Sequence, residues 1–297
     1  MSRTSSLKER IATGILILDG AMGTQLMQRD VKGSNELWGF EHPEELMEIH
    51  RAYLEAGAQT ATTNTFGGSR PKLSKAGLGE RTVELNTGLA KVGRQAVGDD
   101  GWALGDIGPT GEFVEPYGTF SEDELVAVFV EQATALRDGG VDGFIIETMM
   151  DATEAACAVR AAKQVSPELP VLATLTFDRN AQGFRTMMGV SPAKAASALA
   201  EAGADAIGAN CGGITIDQYV ALLGEMRAEV DLPLIAQANA GLPEVVEGTT
   251  VFNEGPEKFS RSIPDLLAAG VSVIGGCCGT TPDHIRAVAA AVAASKG

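Results

Sequence analysis

The 297-residue chain is predicted to fold as a single closed (β/α)8 barrel, a TIM barrel, on three observations. Eight short apolar runs alternate with helical stretches. A helix-ending glycine recurs a few residues before several of those runs. The long connections leave the ends of runs, whereas those leading into them are short.

The runs are Ile15–Ala21, Thr60–Phe66, Trp102–Pro109, Gly143–Thr148, Val171–Phe177, Ala206–Cys211, Leu234–Ala240 and Val273–Cys277. Successive starts lie 28 to 45 residues apart, room for a strand, a crossover helix and a return turn. Each run is nearly continuous in apolar and small residues, as parallel strands covered by helices require. Gly57, Gly140, Gly203 and Gly270 each suit the left-handed stop just past a helix. Start signals match: Ser121 with Glu124 makes a capping box, and Ser191-Pro192 and Thr281-Pro282 place a cap before proline. The long loops, about Met22–His42, Thr110–Phe120 and Gly241–Pro256, leave runs one, three and seven. Barrels keep their chemistry where strands end, so loops and site should share that face. The Gly241–Pro256 loop is expected to be mobile and to close or dock the donor side. No linker divides the chain, so residues 1–297 read as one domain with residues 1–14 as an N-terminal lead-in.

Composition narrows the function classes. A formal net charge of −16 argues against nucleic acid, which needs a basic face, and against anionic membrane surfaces. No apolar stretch approaches the ~18 residues of a membrane span, and Met1–Lys8 lacks the apolar segment of a secretory signal. A cytoplasmic location is the expectation. Four cysteines in a chain this long do not read as a disulfide framework.

Three of those cysteines carry the strongest signal. Cys277 and Cys278 are adjacent in Gly275-Gly276-Cys277-Cys278-Gly279, and Cys211 ends the sixth run. Neighbours in a regular strand face opposite ways, but the flanking glycines permit the irregular backbone that turns both thiols inward. Three thiols at strand ends make a soft Zn2+ site with one position open, the pattern of a site that activates a substrate thiol. Cys157, in an alanine-rich helical stretch, reads as core packing. His42, His50 and His284 read as structural. Asp19, Asp106 and Glu147 stand at or near strand ends, where a carboxylate either holds a substrate ammonium or bonds to barrel loops; position alone leaves both open. Thr63, Asn64 and Thr65 add polar groups, and the turn Gly20-Ala21-Met22-Gly23-Thr24 offers backbone N–H groups to a carboxylate.

Asp19-Gly20-Ala21-Met22-Gly23-Thr24, Thr63-Asn64-Thr65-Phe66, Asn210-Cys211 and Gly275 to Pro282 together resemble the homocysteine S-methyltransferase family. More narrowly they resemble the homocysteine-binding module of cobalamin-dependent methionine synthases. The likeness runs from about Ile15 to Ala293 in barrel order. It implies zinc on Cys211, Cys277 and Cys278, completed by Asn239 before substrate binds. It also implies that Asp19 and Glu147 hold the homocysteine amino group. The main chain of Gly20, Ala21 and Met22, with Thr63, would hold the carboxylate.

The donor is less defined. No Asp-x-His-x-x-Gly corrinoid motif surrounds any of the three histidines. A methylcobalamin or other methyl-corrinoid donor would therefore reside on a separate protein. Gly279 stands where S-methylmethionine-using relatives have arginine, and the C-terminal extension of betaine-using relatives is missing, which favours the corrinoid. The alternatives are a free small donor such as S-methylmethionine or glycine betaine, another thiol or selenol acceptor, or a non-catalytic scaffold barrel with structural zinc.

Overall fold

A computed structural model describes residues 6–29, 31–246 and 249–295. Eight strands lie in one parallel sheet: β1 Leu16–Ile17, β2 Thr60–Thr62, β3 Trp102–Ile107, β4 Gly143–Met149, β5 Val171–Leu175, β6 Ala206–Asn210, β7 Leu234–Ala238 and β8 Val271–Gly276. Their hydrogen-bonded order is β1-β8-β7-β6-β5-β4-β3-β2, so from β3 to β8 each strand pairs with its predecessor in sequence, and β1 pairs with β8. Helices separate them, which makes the predicted (β/α)8 barrel.

Most strands are shorter than the apolar runs. β1 stops at Ile17 and β2 at Thr62, and the two share no ladder. Side chains bridge that seam instead. Gln59 donates its backbone N–H to Ile17 O at 2.8 Å and accepts the Ile17 N–H on Oε1 at 3.1 Å. Higher up, the Asp19 carboxylate accepts the Thr62 N–H at 2.7 Å and the Thr62 hydroxyl at 2.6 Å. β8 begins two residues before its run and ends at Gly276, which leaves Cys277 just beyond the ladder.

The lead-in is more than a lead-in. Leu7–Thr13 is a helix, opened by a Ser6–Glu9 capping box. Leu7 and Ile11, one turn apart, join the inner core formed by Leu16, Leu18, Leu104, Ile145, Leu172, Ala206, Ile235 and Val273. The helix closes the bottom of the barrel, and each of these two side chains contributes about 1.5–3 kcal/mol on burial.

That inner layer sets the orientation of everything above it. Side chains alternate along a strand, so residues two beyond the apolar layer also face the axis. Above Leu104 comes Asp106, above Ile145 comes Glu147, and above Leu172 comes Thr174. Above Ile235 come Gln237 and then Asn239. Above Val273, Gly275 precedes Cys277. An apolar floor thus carries a polar upper storey.

The helix stops and starts are those predicted. Gly57, Gly140, Gly203 and Gly270 all have positive φ. The Ser121–Glu124 box forms, and Ser191 caps Lys194 N–H. Two antiparallel hairpins were not foreseen: Asp178–Asn180 with Gly183–Arg185, and Pro243–Val246 with Thr249–Phe252. The second occupies the Gly241–Pro256 loop. Among the described residues no helix is long and apolar enough to cross a membrane.

Candidate metal centre and substrate pocket

Cys211, Cys277 and Cys278 meet at the barrel mouth. Their sulfurs all lie within 4.8 Å of one another, and those of Cys211 and Cys278 are 4.0 Å apart. Tetrahedral Zn–S bonds of about 2.3 Å place neighbouring sulfurs about 3.8 Å apart. The observed spacing is that of sulfurs able to share one ion.

Local backbone explains how adjacent cysteines face one way. Cys277 N–H still reaches Ala238 O at 2.8 Å, and Cys278 O accepts Ala240 N–H at 2.9 Å. The chain then reverses: Thr280 donates both its N–H and its hydroxyl to Cys277 O, at 3.1 and 2.7 Å. Gly279 takes φ +80°, a conformation that favours glycine. Cys211 sits at φ +54° without being glycine, a strain of roughly 1–2 kcal/mol. Bonds from Cys211 N–H to Gln237 O and from the Tyr219 hydroxyl to Cys211 O, at 3.1 and 2.9 Å, hold it there.

Asn239 completes the ring of donors. It is buried, its Nδ2 donates to Gly212 O at 3.0 Å, and its Oδ1 has no partner. Its side chain also adjoins Cys211. Among the sulfurs, hydrogen bonds from Cys277 and Cys278 favour the thiolate on Cys211. The same bonds hold the Cys277 proton in place, and the bond to Cys211 likewise retains that of Cys278. Three sulfurs this close together are a donor set suited to a soft cation.

Asn210, the neighbour of Cys211, has a role its sequence position did not reveal. Its side chain is fully buried between β4, β5 and β8. Oδ1 accepts the Thr148 N–H at 2.7 Å and the Thr174 hydroxyl at 2.8 Å, while Nδ2 donates to Thr148 Oγ1 at 2.8 Å and faces Cys277 Sγ at 3.7 Å. An inward asparagine two residues above a strand glycine was the available signal.

The carboxylates divide into different roles. Asp19 spends both oxygens on Thr62, and burial pushes its carboxyl up to about 6. Glu147 is pushed up to about 8 by burial and then by the charges of Asp19 and Cys211, against a hydrogen bond from Gln237. Asp106 is buried, with Oδ1 unpartnered, and is held well above the carboxylate range by burial and by Glu147 and Asp19. Thr63 is occupied: its hydroxyl accepts the Asp106 N–H at 2.9 Å and bonds Thr65 at 2.7 Å. Asn64 Nδ2 goes to Asn35 O at 2.7 Å. The turn at Gly20–Met22 packs against the cysteine turn, with Ala21 N–H given to Thr280 Oγ1 at 3.1 Å and Tyr53 OH reaching both Ala21 O and Thr280 O.

The other sequence candidates are structural. Cys157 is fully buried, its thiol pushed up to about 11 by burial, beside Arg160. His284 Nδ1 accepts the Thr281 N–H at 3.2 Å, which leaves the ring proton on Nε2 to donate to Glu254 O at 2.8 Å. His42 stacks on Trp38 at 4.8 Å, and His50 lies in the core with neither ring nitrogen bonded.

A parallel barrel whose mouth gathers three cysteine sulfurs is, as a class, a candidate metal-binding barrel. Residues 16–292 match the family model described as homocysteine S-methyltransferase, and the chain belongs to that family. It is similar to the methionine synthase of Mycobacterium leprae, 31% identical over an alignment of length 310 that covers 97% of this chain and 25% of the relative. The methionine synthase of Mycobacterium tuberculosis is 30% identical, with 98% and 26% covered. The chain thus spans about a quarter of the length of these curated relatives. Among solved structures it resembles the homocysteine methyltransferase MmuM from Escherichia coli. The metallated form gives a TM-score of 0.75 at 26% identity, covering 94% of this chain and 96% of that one. The oxidised form gives 0.74 at 27%, with 93% and 95% covered.

Proposed function

We propose that this protein methylates the sulfur of homocysteine to give methionine, with Zn2+ held by Cys211, Cys277 and Cys278 and by Asn239 Oδ1 until substrate arrives. The convergence of three half-buried sulfurs beside a buried, unpartnered carbonyl oxygen carries this reading. A structural zinc site is closed by four firm ligands, whereas three thiolates and one neutral amide leave a position to exchange. Bound zinc would supply the Lewis acidity that deprotonates an acceptor thiol whose free pKa is about 8.5.

The chain's own residues position the acceptor. Glu147 receives the substrate ammonium from the barrel interior. Asp19 supports it through its charge while tying β1 to β2. The Gly20, Ala21 and Met22 turn packs against the cysteine turn; with the Ala21 N–H committed to Thr280, the main chain of Gly20 and Met22 is left to meet the carboxylate. Thr63 acts at one remove, by fixing Asp106 and the end of β2. Asn210 holds the Cys277 side of the centre to the end of β4.

For the donor, a methyl-corrinoid on a separate protein is favoured by the mouth itself. Among the described residues, the exposed large hydrophobics Met27, Phe113, Tyr117, Met187, Leu242, Val245 and Val246 lie in the segments that follow β1, β3, β5 and β7. A rim of that kind suits a macromolecular donor better than a small polar one. The second reading is a free sulfonium or betaine donor that enters the same mouth.

The test is zinc analysis together with homocysteine turnover, using methyl-corrinoid protein, methylcobalamin, S-methylmethionine and glycine betaine as donors. Methionine formed only from the small sulfonium or betaine donors would replace the corrinoid reading with the second. Bound zinc without affinity for any thiol would point to a scaffold.

A further inference from the structure

We infer that the floor of the barrel carries a binding site for a small organic phosphate, a phosphate monoester with an apolar body, held between Arg10 and Arg227. The site lies at the end of the barrel opposite the cysteines and does not depend on the methyl-transfer reading. A cavity of about 670 Å³ opens there, where the helix Leu7–Thr13 runs into β1 and where β7 and β8 begin. Its size is that of a small-molecule pocket. Ile15 and Leu232 wall it, each half-buried, packed on the core with one side and open to the cavity with the other.

Charge distinguishes this cavity. The chain carries a formal net charge of −16, yet two guanidiniums line the space against a single carboxylate, Asp231. Arg10 forms no ion pair among the described residues. Its Nη2 bonds only neutral acceptors, Ile15 O and Gln59 Oε1, and its Nε is buried without a partner. Burial lowers its pKa, as expected of a cation short of a counter-charge. The guanidinium rests on bare backbone: a Cβ at Gly14 would stand 2.8 Å from Nη1.

Arg227 commits Nη1 to Val230 O at 3.4 Å and to Asp231 at 3.0 Å. Its Nε–Nη2 edge has no hydrogen-bond partner among the described residues and lies over Gly270, where a Cβ would stand 3.9 Å from both nitrogens. That edge is the two-donor fork that takes an oxyanion side-on. Asp231 is a weak rival, because its side chain is fully exposed and pairs of that kind contribute little. Two cations with one fork uncommitted favour a doubly charged phosphate over a singly charged carboxylate. Arg10 belongs to the plug helix and Arg227 to the helix Gln218–Arg227, so a shared ligand fastens the plug to the barrel wall. The strand-start face of such barrels serves stability, and the effect of binding is expected there rather than on turnover.

The experiment titrates the full chain calorimetrically with phenyl phosphate, inorganic phosphate, benzoate and benzyl alcohol, and follows Tm with each. Phenyl phosphate should bind wild type with a Kd below about 1 mM, at least about tenfold tighter than the other three. It should raise Tm by about 5 °C when present at about 100 times its Kd. Arg227→Gln should weaken phenyl phosphate by about tenfold or more. Asp231→Asn releases Nη1 and removes the local negative charge, so it should tighten binding by about two- to fivefold; being an exposed change, it carries the comparison if Arg227→Gln does not fold. Three results each overturn the inference: phenyl phosphate failing to bind wild type below about 10 mM, unchanged affinity in folded Arg227→Gln or in Asp231→Asn, or benzoate binding as tightly as phenyl phosphate.

Discussion

The Asn210 side chain clasps Thr148 at both ends, taking its N–H on Oδ1 at 2.7 Å and giving Nδ2 to its hydroxyl at 2.8 Å. Thr148 follows Glu147 directly and sits at φ +59°, a left-handed conformation for a β-branched residue. The clasp therefore holds a strained turn beside Glu147 while the same amide faces Cys277.

Asn210→Ala should lower unfolding free energy by about 2–3 kcal/mol, since it leaves the Thr148 N–H unsatisfied and the turn unsupported. Zinc content should remain near wild type because all three sulfurs survive. Homocysteine affinity should fall. Denaturant unfolding, metal analysis and calorimetry on one preparation check this; unchanged thiol affinity would deny Asn210 its positioning role.

Gly279→Ala should be costly for two reasons. The φ of +80° disfavours any side chain, and a Cβ there would run into the Phe252 ring base. Phe252 ends the hairpin over β7, so the methyl group displaces that hairpin from the cysteine turn. A loss of about 1–3 kcal/mol is expected, with increased amide exchange in residues 243–246 and 249–252. Exchange unchanged in the hairpin would show that it is seated by other contacts.

His50 should shape the acid limb of stability. Burial lowers its pKa to about 4 from an ordinary 6.5, with both ring nitrogens unbonded. Above about pH 6.5 the imidazole is neutral folded and unfolded, and the term is constant. As pH falls from 6.5 to 4 only the unfolded chain takes up the proton, so folded stability declines by about 3 kcal/mol. His50→Leu should remove that decline, and its advantage over wild type should grow as pH falls. Parallel stability curves between pH 4.5 and 7 would refute the assignment.

Zinc binding should separate the four cysteines cleanly. Cys211→Ser is expected to weaken zinc by more than about 100-fold, beyond the loss from removing an outer-shell partner. Cys157→Ser, far from the mouth and packed beside Arg160, should leave it unchanged. Competition with a chromophoric chelator under reducing conditions measures both, and full affinity in Cys211→Ser would break the ligand assignment.

Much of this was legible in the chain. Eight apolar runs, the glycines at 57, 140, 203 and 270, and the caps at Ser121 and Ser191 are local signals, because strand burial, left-handed stops and N-caps each depend on a few adjacent residues. Cysteine chemistry was equally visible, since thiols beside strand-end glycines announce themselves by type. Periodicity also exposed where strands would run, though not where they would stop: Asp19 and Thr63 end β1 and β2 early by taking backbone partners from neighbouring strands.

By itself, then, the sequence determined the barrel, its strand order and the identity of the sulfur donors. Tertiary structure decided what lies opposite what. It turned residues 7–13 into a plug and occupied the Thr63 hydroxyl. It also gave Ala21 N–H to Thr280, which is 259 residues away, and left one oxygen each of Asp106 and Gln237 without a hydrogen-bond donor. The reason is that hydrogen-bond satisfaction is a property of closure: whether a buried oxygen has a donor depends on strands that meet only when the barrel shuts.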